Sequence, residues 1–289
     1  ATTVISTLSL HDALPIYPIG IGLEAPRFSW RMVCDRIGAV QLAYQLQVAV
    51  DADYAALVWD SGWVESHASS QILYAGEPIR SKTRYTWRVR VRDEHGEASR
   101  WSESAYWETT LAKSDWQARW IEPEDAVDPE AFKPAPYLRK EFALEKDIAS
   151  ARLYITSHGL YEATLNGKRI GDQVFMPGNT SYIHRVQVQT YDVKELLLSG
   201  GNCLGVILGD GWFRGSINAI STRNSHGEKV ALLAQLEITY SDGSQSVVST
   251  DGSWKTSPGP ILKSDMKDGE IYDARLEMPG HPGDDRQRP

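Results

Sequence analysis

Short runs of alternating apolar and polar residues fill the chain from residue 17 to residue 112. "YQLQVAV" (44–50) alternates as a half-buried strand does. "TRYTWRVRVRDEHGEASRW" (83–101) is more regular: Tyr85, Trp87, Val89 and Val91 point one way, Thr86, Arg88, Arg90 and Arg92 the other. "DEHGEAS" then supplies a turn, and "SAYWETTL" (104–111) reads as the returning partner strand. Short strands at this spacing, one with an inward Trp, predict an immunoglobulin or fibronectin III-like sandwich over residues 17–112. The absence of a cysteine pair fits the fibronectin type better.

Acids and prolines interrupt the alternation over residues 113–136, which read as an ordered linker with Trp116 and Trp120 pinning it to a neighbouring domain. Strand patterns resume at "PYLRKEFAL" (136–144) and "SARLYITSHG" (150–159). Asn166-Gly167 has the left-handed preferences of a type I′ hairpin turn, and Asp242-Gly243 marks a second hairpin. No helix-length amphipathic run appears; "DVKELLLSG" has room for one short turn. Residues 137–280 therefore read as a second β-sandwich, a jelly roll. The fold class expected is all-β, two sandwiches in tandem.

The two ends read differently. "TLSLHDALPI" (7–16) resembles a translated frame of a sequencing adapter, so residues 1–16 are set aside as foreign or disordered. Residues 281–289 read as a disordered tail. The first residues lack a basic n-region, so a secretory signal is unsupported and a cytoplasmic location is favoured, with the native N-terminus lost.

Composition narrows the partners. A net charge of −8 over 289 residues argues against nucleic acid, which needs a basic surface. No apolar run is long enough to span a membrane as a helix. Cys34 and Cys203 fall in different predicted domains and read as free thiols, and no Cys/His group has zinc spacing. Ten Trp and thirteen Tyr against five Phe weight the aromatic content toward rings with a polar edge, which suit sugar-facing surfaces as well as cores.

Two stretches carry candidate chemistry. "LGDGWFRG" (208–215) ends a buried strand in Asp210, with Trp212 and Arg214 following among glycines. A carboxylate beside an indole can hold sugar hydroxyls and the apolar C–H face of a ring; equally, Trp212 can plug the sandwich while Asp210 caps the turn. In "DGEIYDARLE" (268–277), alternation puts Glu270 and Tyr272 on one face and Asp273 and Arg275 on the other. Asp273 and Arg275 can form a bridge that fixes a strand, while Glu270 approaching Asp210 would offer hard oxygens to Ca²⁺. No cofactor is required by either reading. No nucleophile–His–acid order is recognisable, and His158 and His184 read as a turn residue and a strand start.

"PRFSW", "WDSGWVES", "TRYTWRVRVRDEHG", "SARLYITSHGLYEATLNGKRIGD", "VQVQTYDV", "LGDGWFRG" and "GEIYDARLE" occur in this order. Together, over residues 17–280, they resemble the N-terminal part of bacterial α-L-rhamnosidases of glycoside hydrolase family 78. The resemblance implies a fibronectin-like domain followed by a jelly roll related to a calcium-dependent rhamnose-binding module. It also implies an (α/α)₆ catalytic barrel beyond the matched region, with no counterpart of its acidic segment in this chain. The chain is thus expected to be an accessory region, inactive alone, of an enzyme removing terminal α-L-rhamnose. A working rhamnose-binding module and a purely structural spacer are the alternatives. The partners implied are a rhamnose-containing carbohydrate and the remaining domains of the same enzyme. Asp210 and Trp212 match the family's "GDGW", and Glu270, Tyr272 and Asp273 its "GExYDAR"; Asn179 stands in "PGNTSY" where the family pattern leads one to expect an aromatic.

Overall fold

The structure, a computed structural model, describes residues 17–124, 131–217 and 222–278 in full and residues 3–8 by their backbone. The chain divides into two compact units, Ala1–Asp115 and Trp116–Pro289. Every pairing between its strands is antiparallel.

In the first unit β1 (Thr3–Leu8), β2 (Arg27–Val33), β3 (Gln41–Ala49), β4 (Leu57–Asp60), β5 (Val64–Glu65), β6 (Ile72–Leu73), β7 (Arg84–Asp93) and β8 (Ala105–Glu108) follow one another. They form one sheet ordered β1-β2-β6 and another ordered β4-β3-β7-β8, with β5 also on β3. Within the segment set aside as foreign, the backbone of β1 thus lies along β2; residues 9–16 are outside the described residues. Tyr85, Trp87, Val89 and Val91 of β7 all point into the core, where they meet Phe28, Leu46 and Trp107. The alternation read in the sequence holds for β7 residue by residue.

One detail follows the expectation and one departs from it. The return from the "DEHGEAS" turn becomes a strand only at β8, which pairs with β7 from Arg84 to Trp87. Before that, Ser99 and Ser102 follow β7 irregularly, their hydroxyls accepting the amides of Val91 and Val89. On β3, Gln45 and Gln47 are as buried as a core residue, although they occupy the polar phase of the alternation. The arginines of β7 lie across them, and long cationic stems cover polar neighbours while their heads stay wet.

The second unit contains β9 (Pro136–Leu144), β10 (Ile148–His158), β11 (Leu160–Leu165), β12 (Lys168–Arg169), β13 (Gln189–Asp192), β14 (Gly200–Gly209), a single helical turn α1 (Gly211–Arg214), β15 (Ala231–Tyr240), β16 (Gln245–Ser249), β17 (Lys255–Pro258), β18 (Ile261–Asp265) and β19 (Gly269–Tyr272). A sheet ordered β13-β10-β15-β16 and a sheet ordered β12-β11-β14-β9-β17 enclose a core of Leu153, Ile155, Leu165, Val206, Leu208 and Leu236. β18 and β19 make a separate hairpin. Asn166 and Gly167 both have positive φ, 53° and 77°, and join β11 to β12 in the two-residue turn expected of them. "DVKELLLSG" holds one 3₁₀ turn, Lys194–Leu196.

The stretch read as a linker is divided between the units. Lys113–Asp115 is a 3₁₀ turn of the first. From residue 116 the chain is stitched to the second, Gln117 and Ala118 donating their amides to Gln235 Oε1 at 2.7 and 3.1 Å and Arg119 donating to the Thr250 carbonyl at 2.9 Å. The tail read at 281–289 lies outside the described residues.

Candidate functional site

The "LGDGWFRG" stretch is built by close backbone approach. β14 runs to Gly209, where an added Cβ would stand 2.8 Å from Ser264 Oγ of the β18–β19 hairpin. Gly211 has φ +53°, and a side chain there would come within 2.6 Å of Leu160 Cγ. Both the left-handed backbone and the space therefore demand glycine. The turn of α1 closes by Arg214 N–H donating to the Asp210 carbonyl at 3.1 Å.

This geometry turns the Asp210 side chain inward. It is 1% exposed; its Oδ1 accepts from Arg214 Nε at 2.7 Å and lies 2.6 Å from Arg214 Nη2 in an ion pair, and its Oδ2 accepts from Arg223 Nη2 at 3.1 Å. Burial pushes the Asp210 carboxyl above the usual carboxylate range, against the pull of both guanidinium groups. Arg214 is equally buried. The spacing of four residues that joins Asp210 to Arg214 is the ordinary helical pairing distance.

A second acid completes the cluster. Asp265, on β18, accepts the amides of Ser216 at 2.7 Å, Lys267 at 2.9 Å and Asp268 at 2.8 Å. Burial alone would raise its pKa, but the three backbone donors outweigh it and hold the carboxyl below the usual range. Asp268 accepts from the Ser216 hydroxyl at 2.5 Å. Sequence reasoning missed Ser216, Arg223, Asp265 and Asp268: Ser216 meets its acids across separations of 49 and 52 residues, Arg223 reaches Asp210 across 13, and none of these contacts leaves a local pattern.

The remaining candidates do not converge on Asp210. Trp212 is half-buried and meets Phe175 edge-on at 6.3 Å. Asn179 and Glu270 are exposed. Tyr272 is also exposed and donates its hydroxyl to Glu277 Oε1 at 3.0 Å. The alternation expected across "GEIYDARLE" ends at Tyr272, because Asp273 caps a 3₁₀ turn, Ala274–Leu276. Asp273 holds Arg275 at 2.8 and 2.6 Å, and this pairing keeps its pKa low. The bridge read between these residues is present, fixing a turn in place of a strand. Both carboxylate oxygens of Asp210 face guanidinium groups, which also repel a cation, so no calcium site with Glu270 is derived. Among the described residues no group of three or more His, Cys, Asp or Glu side chains is placed to hold a metal.

Behind α1 lies an aromatic stack. The His158 ring lies between Trp120 at 4.2 Å and Phe213 at 4.4 Å, nearly parallel to both, and Tyr182 closes on Phe213 edge-on at 5.2 Å. Burial pushes the His158 pKa down, Glu122 opposing it. The ring is a packing element, stacked between Trp120 and Phe213 within the second unit.

Residues 14–113 match the sequence model of the Rha78A-like N-terminal immunoglobulin domain, and residues 146–287 that of the α-L-rhamnosidase N-terminal domain. The chain belongs with the N-terminal regions of α-L-rhamnosidases. An α-L-rhamnosidase of an Alteromonas species is 39% identical over 277 residues, spanning 92% of this chain and 30% of that protein. The crystal structure of native α-L-rhamnosidase from Aspergillus terreus is 37% identical, with TM-score 0.84, over 98% of this chain and 32% of that one. The Streptomyces avermitilis α-L-rhamnosidase, solved with L-rhamnose, superposes with TM-score 0.89 at 26% identity, over 98% of this chain and 43% of its own. The chain therefore spans between 30% and 43% of the length of these relatives, the N-terminal part by the family match.

Proposed function

We propose that this chain is the accessory N-terminal region of an enzyme that releases terminal α-L-rhamnose from rhamnosides, and that it supplies no group to the cleavage of the glycosidic bond. In this reading "LGDGWFRG" is a structural corner. The observation that carries it is the burial of Asp210 between Arg214 and Arg223, which leaves no carboxylate oxygen for a sugar hydroxyl. The acids Glu270 and Asp273 stand apart in role: the half-buried Asp273 is spent on Arg275, and the exposed Glu270 sits on the β18–β19 hairpin. Inverting or retaining hydrolysis needs two carboxyl groups facing one another across a substrate, whereas Asp210 and Asp273 are each already paired with guanidinium groups.

The test is turnover. The purified chain incubated with an aryl α-L-rhamnoside is expected to release no chromophore above a buffer control; release would overturn the proposal. A Trp212→Ala variant is expected to leave any saccharide binding by the chain unaltered, since Trp212 serves Phe175 and the corner.

A further inference from the structure

A cleft of about 660 Å³ opens on the flank of the second unit, and no residue of "LGDGWFRG" or "GEIYDARLE" lines it. Its walls are fixed by backbone bonds. Residues 121–124 form one side, held where Ile121 and Leu232 exchange hydrogen bonds at 3.0 and 2.9 Å. Residues 131–136 form the other, held where the Ala135 amide donates to the Ile261 carbonyl at 2.9 Å. Between them lie Leu138, Trp254 and the outermost strand β17. The volume falls among pockets that enclose a compact ligand, about 300–1,000 Å³.

The lining decides what kind of ligand. Trp254 packs one part of its ring on the core and turns another to the cleft, and its indole N–H is already given to the Ser249 carbonyl at 2.9 Å. What it presents to a ligand is therefore apolar surface. Around it stand the carboxylates of Glu122, Glu124 and Asp251, the last already accepting from the Ser253 amide and hydroxyl, the ammonium groups of Lys255 at the surface and of the buried Lys133, and the hydroxyls of Thr256 and Ser257. An anion would meet three carboxylates; a cation would meet two ammonium groups. The ion pairs made at the rim, Glu122 with Lys229 at 3.5 Å and Lys255 with Glu141 at 3.6 Å, are exposed and long, and pairs of that kind exchange partners at little cost.

A peptide strand is a poor match. β17 is four residues long, carries Lys255, and ends in Pro258, which has no N–H to give. These are the features by which proteins protect a sheet edge from added strands. A neutral polyhydroxyl compound suits this mixture: side-chain donors and acceptors of both signs for its hydroxyls, and the Trp254 indole with Phe132, Pro123, Pro134, Pro136 and Pro258 for its C–H faces. From this geometry we infer that the cleft is a binding site for an uncharged saccharide of about disaccharide size. The inference stands on the cleft alone and does not depend on the rhamnosidase reading.

The experiment is a titration of the ¹⁵N-labelled chain with cellobiose and with rutinose, a rhamnosyl-glucose disaccharide, followed by amide shifts. Gluconate and an octaproline peptide serve as the anionic and peptidic probes. Saturable shifts at residues 121–124 and 254–257 with at least one disaccharide are expected, with a Kd of millimolar order. Trp254→Ala is expected to bind about tenfold more weakly, the loss that follows truncation of a central aromatic. Should that variant fail to fold, a Lys255→Ala/Ser257→Ala double variant, altered only at the mouth, is expected to lose several-fold. Absence of shifts with both disaccharides at about 50 mM, well above a millimolar Kd, would overturn the inference. So would shifts centred on residues 209–216, or a stronger response to gluconate or to the peptide.

Discussion

Arginine is used in opposite ways in the two units. On the outer face of the first, Arg88 lies over the rings of Tyr54 and Trp101 at 4.0 and 4.5 Å, and Arg90 over Trp101 and Trp63 at 4.6 and 4.9 Å. Arg92 adds a further rung on Trp63 at 4.3 Å. Arg88 and Arg90 donate to the neutral amide oxygens of Gln47 and Gln45, whose NH₂ groups in turn donate to Asp60 at 2.7 and 2.8 Å. Charge is thus handed through neutral amides to a carboxylate at the surface. In the second unit Arg214 is removed from water and meets Asp210 directly. The first arrangement keeps its cations half-hydrated and shares their interactions among many partners; the second concentrates a charge pair where solvent cannot compensate either member.

The difference predicts unequal sensitivity. Asp210→Ala leaves the Arg214 guanidinium buried without its carboxylate, and breaking a buried pair from one side costs about 3–5 kcal/mol. The denaturant midpoint for the second unit should fall accordingly, with the first unit's transition unmoved. A loss below about 1 kcal/mol, the scale of an exposed pair, would show that water reaches the cluster and would erase the contrast.

Arg90→Ala should cost less, although it removes more contacts. Two cation–π contacts at a partly wet face contribute about 0.5–1 kcal/mol each, and the bond to Gln45 about 1 kcal/mol. Solvent replaces part of this, so a loss of about 1–2 kcal/mol in the first unit is expected from urea titration. If Arg90→Ala unfolds the domain, the ladder is a cooperative element and not a shared surface.

The same contrast governs how much could be read in advance. The alternation of β7 is legible because every inward position is apolar and every outward one polar from Arg84 to Arg92. The Asn166-Gly167 turn is legible because few residues tolerate positive φ. The burial of Gln45 and Gln47 is not, since it depends on arginines some 40 residues later in sequence folding back over them. The sequence leaves Asp210 open between a sugar-facing acid and a turn cap, because its neighbours are glycines and aromatics. One of its partners, Arg214, stood at helical spacing, but spacing of four residues points to a pair only once the turn after Gly209 is known to be helical. Arg223 and the Asp265 hairpin are tertiary partners with no periodicity to betray them.

A smaller effect, read through pH, concerns the stack behind α1. The folded His158 pKa lies below the ordinary value of about 6.5 because burial disfavours the imidazolium. Between the two values the unfolded chain holds the proton and the folded chain does not. Stability of the second unit should therefore decline as pH falls through about 6.5 toward the folded value and then level off. His158→Phe keeps a flat ring between Trp120 and Phe213 and removes the titration. Thermal unfolding between neutral and mildly acid pH should show a shallower slope in the variant; an unchanged slope would assign the dependence to other groups.

The smallest effect is expected at Asp273 and Arg275, where the chemistry is again a carboxylate and a guanidinium, at distances as short as those of the buried pair. The Arg275 side chain is 89% exposed, so water solvates whichever partner is left behind. Geometry alone would rank this bridge with Asp210–Arg214; solvation ranks it last. Arg275→Ala should leave the unfolding midpoint within the error of a denaturant titration, and raising the salt concentration should change neither protein relative to the other. A clear loss of stability would mean that the Ala274–Leu276 turn depends on the bridge for its conformation, and that exposure is a poorer guide than bond length to the worth of an ion pair in this chain.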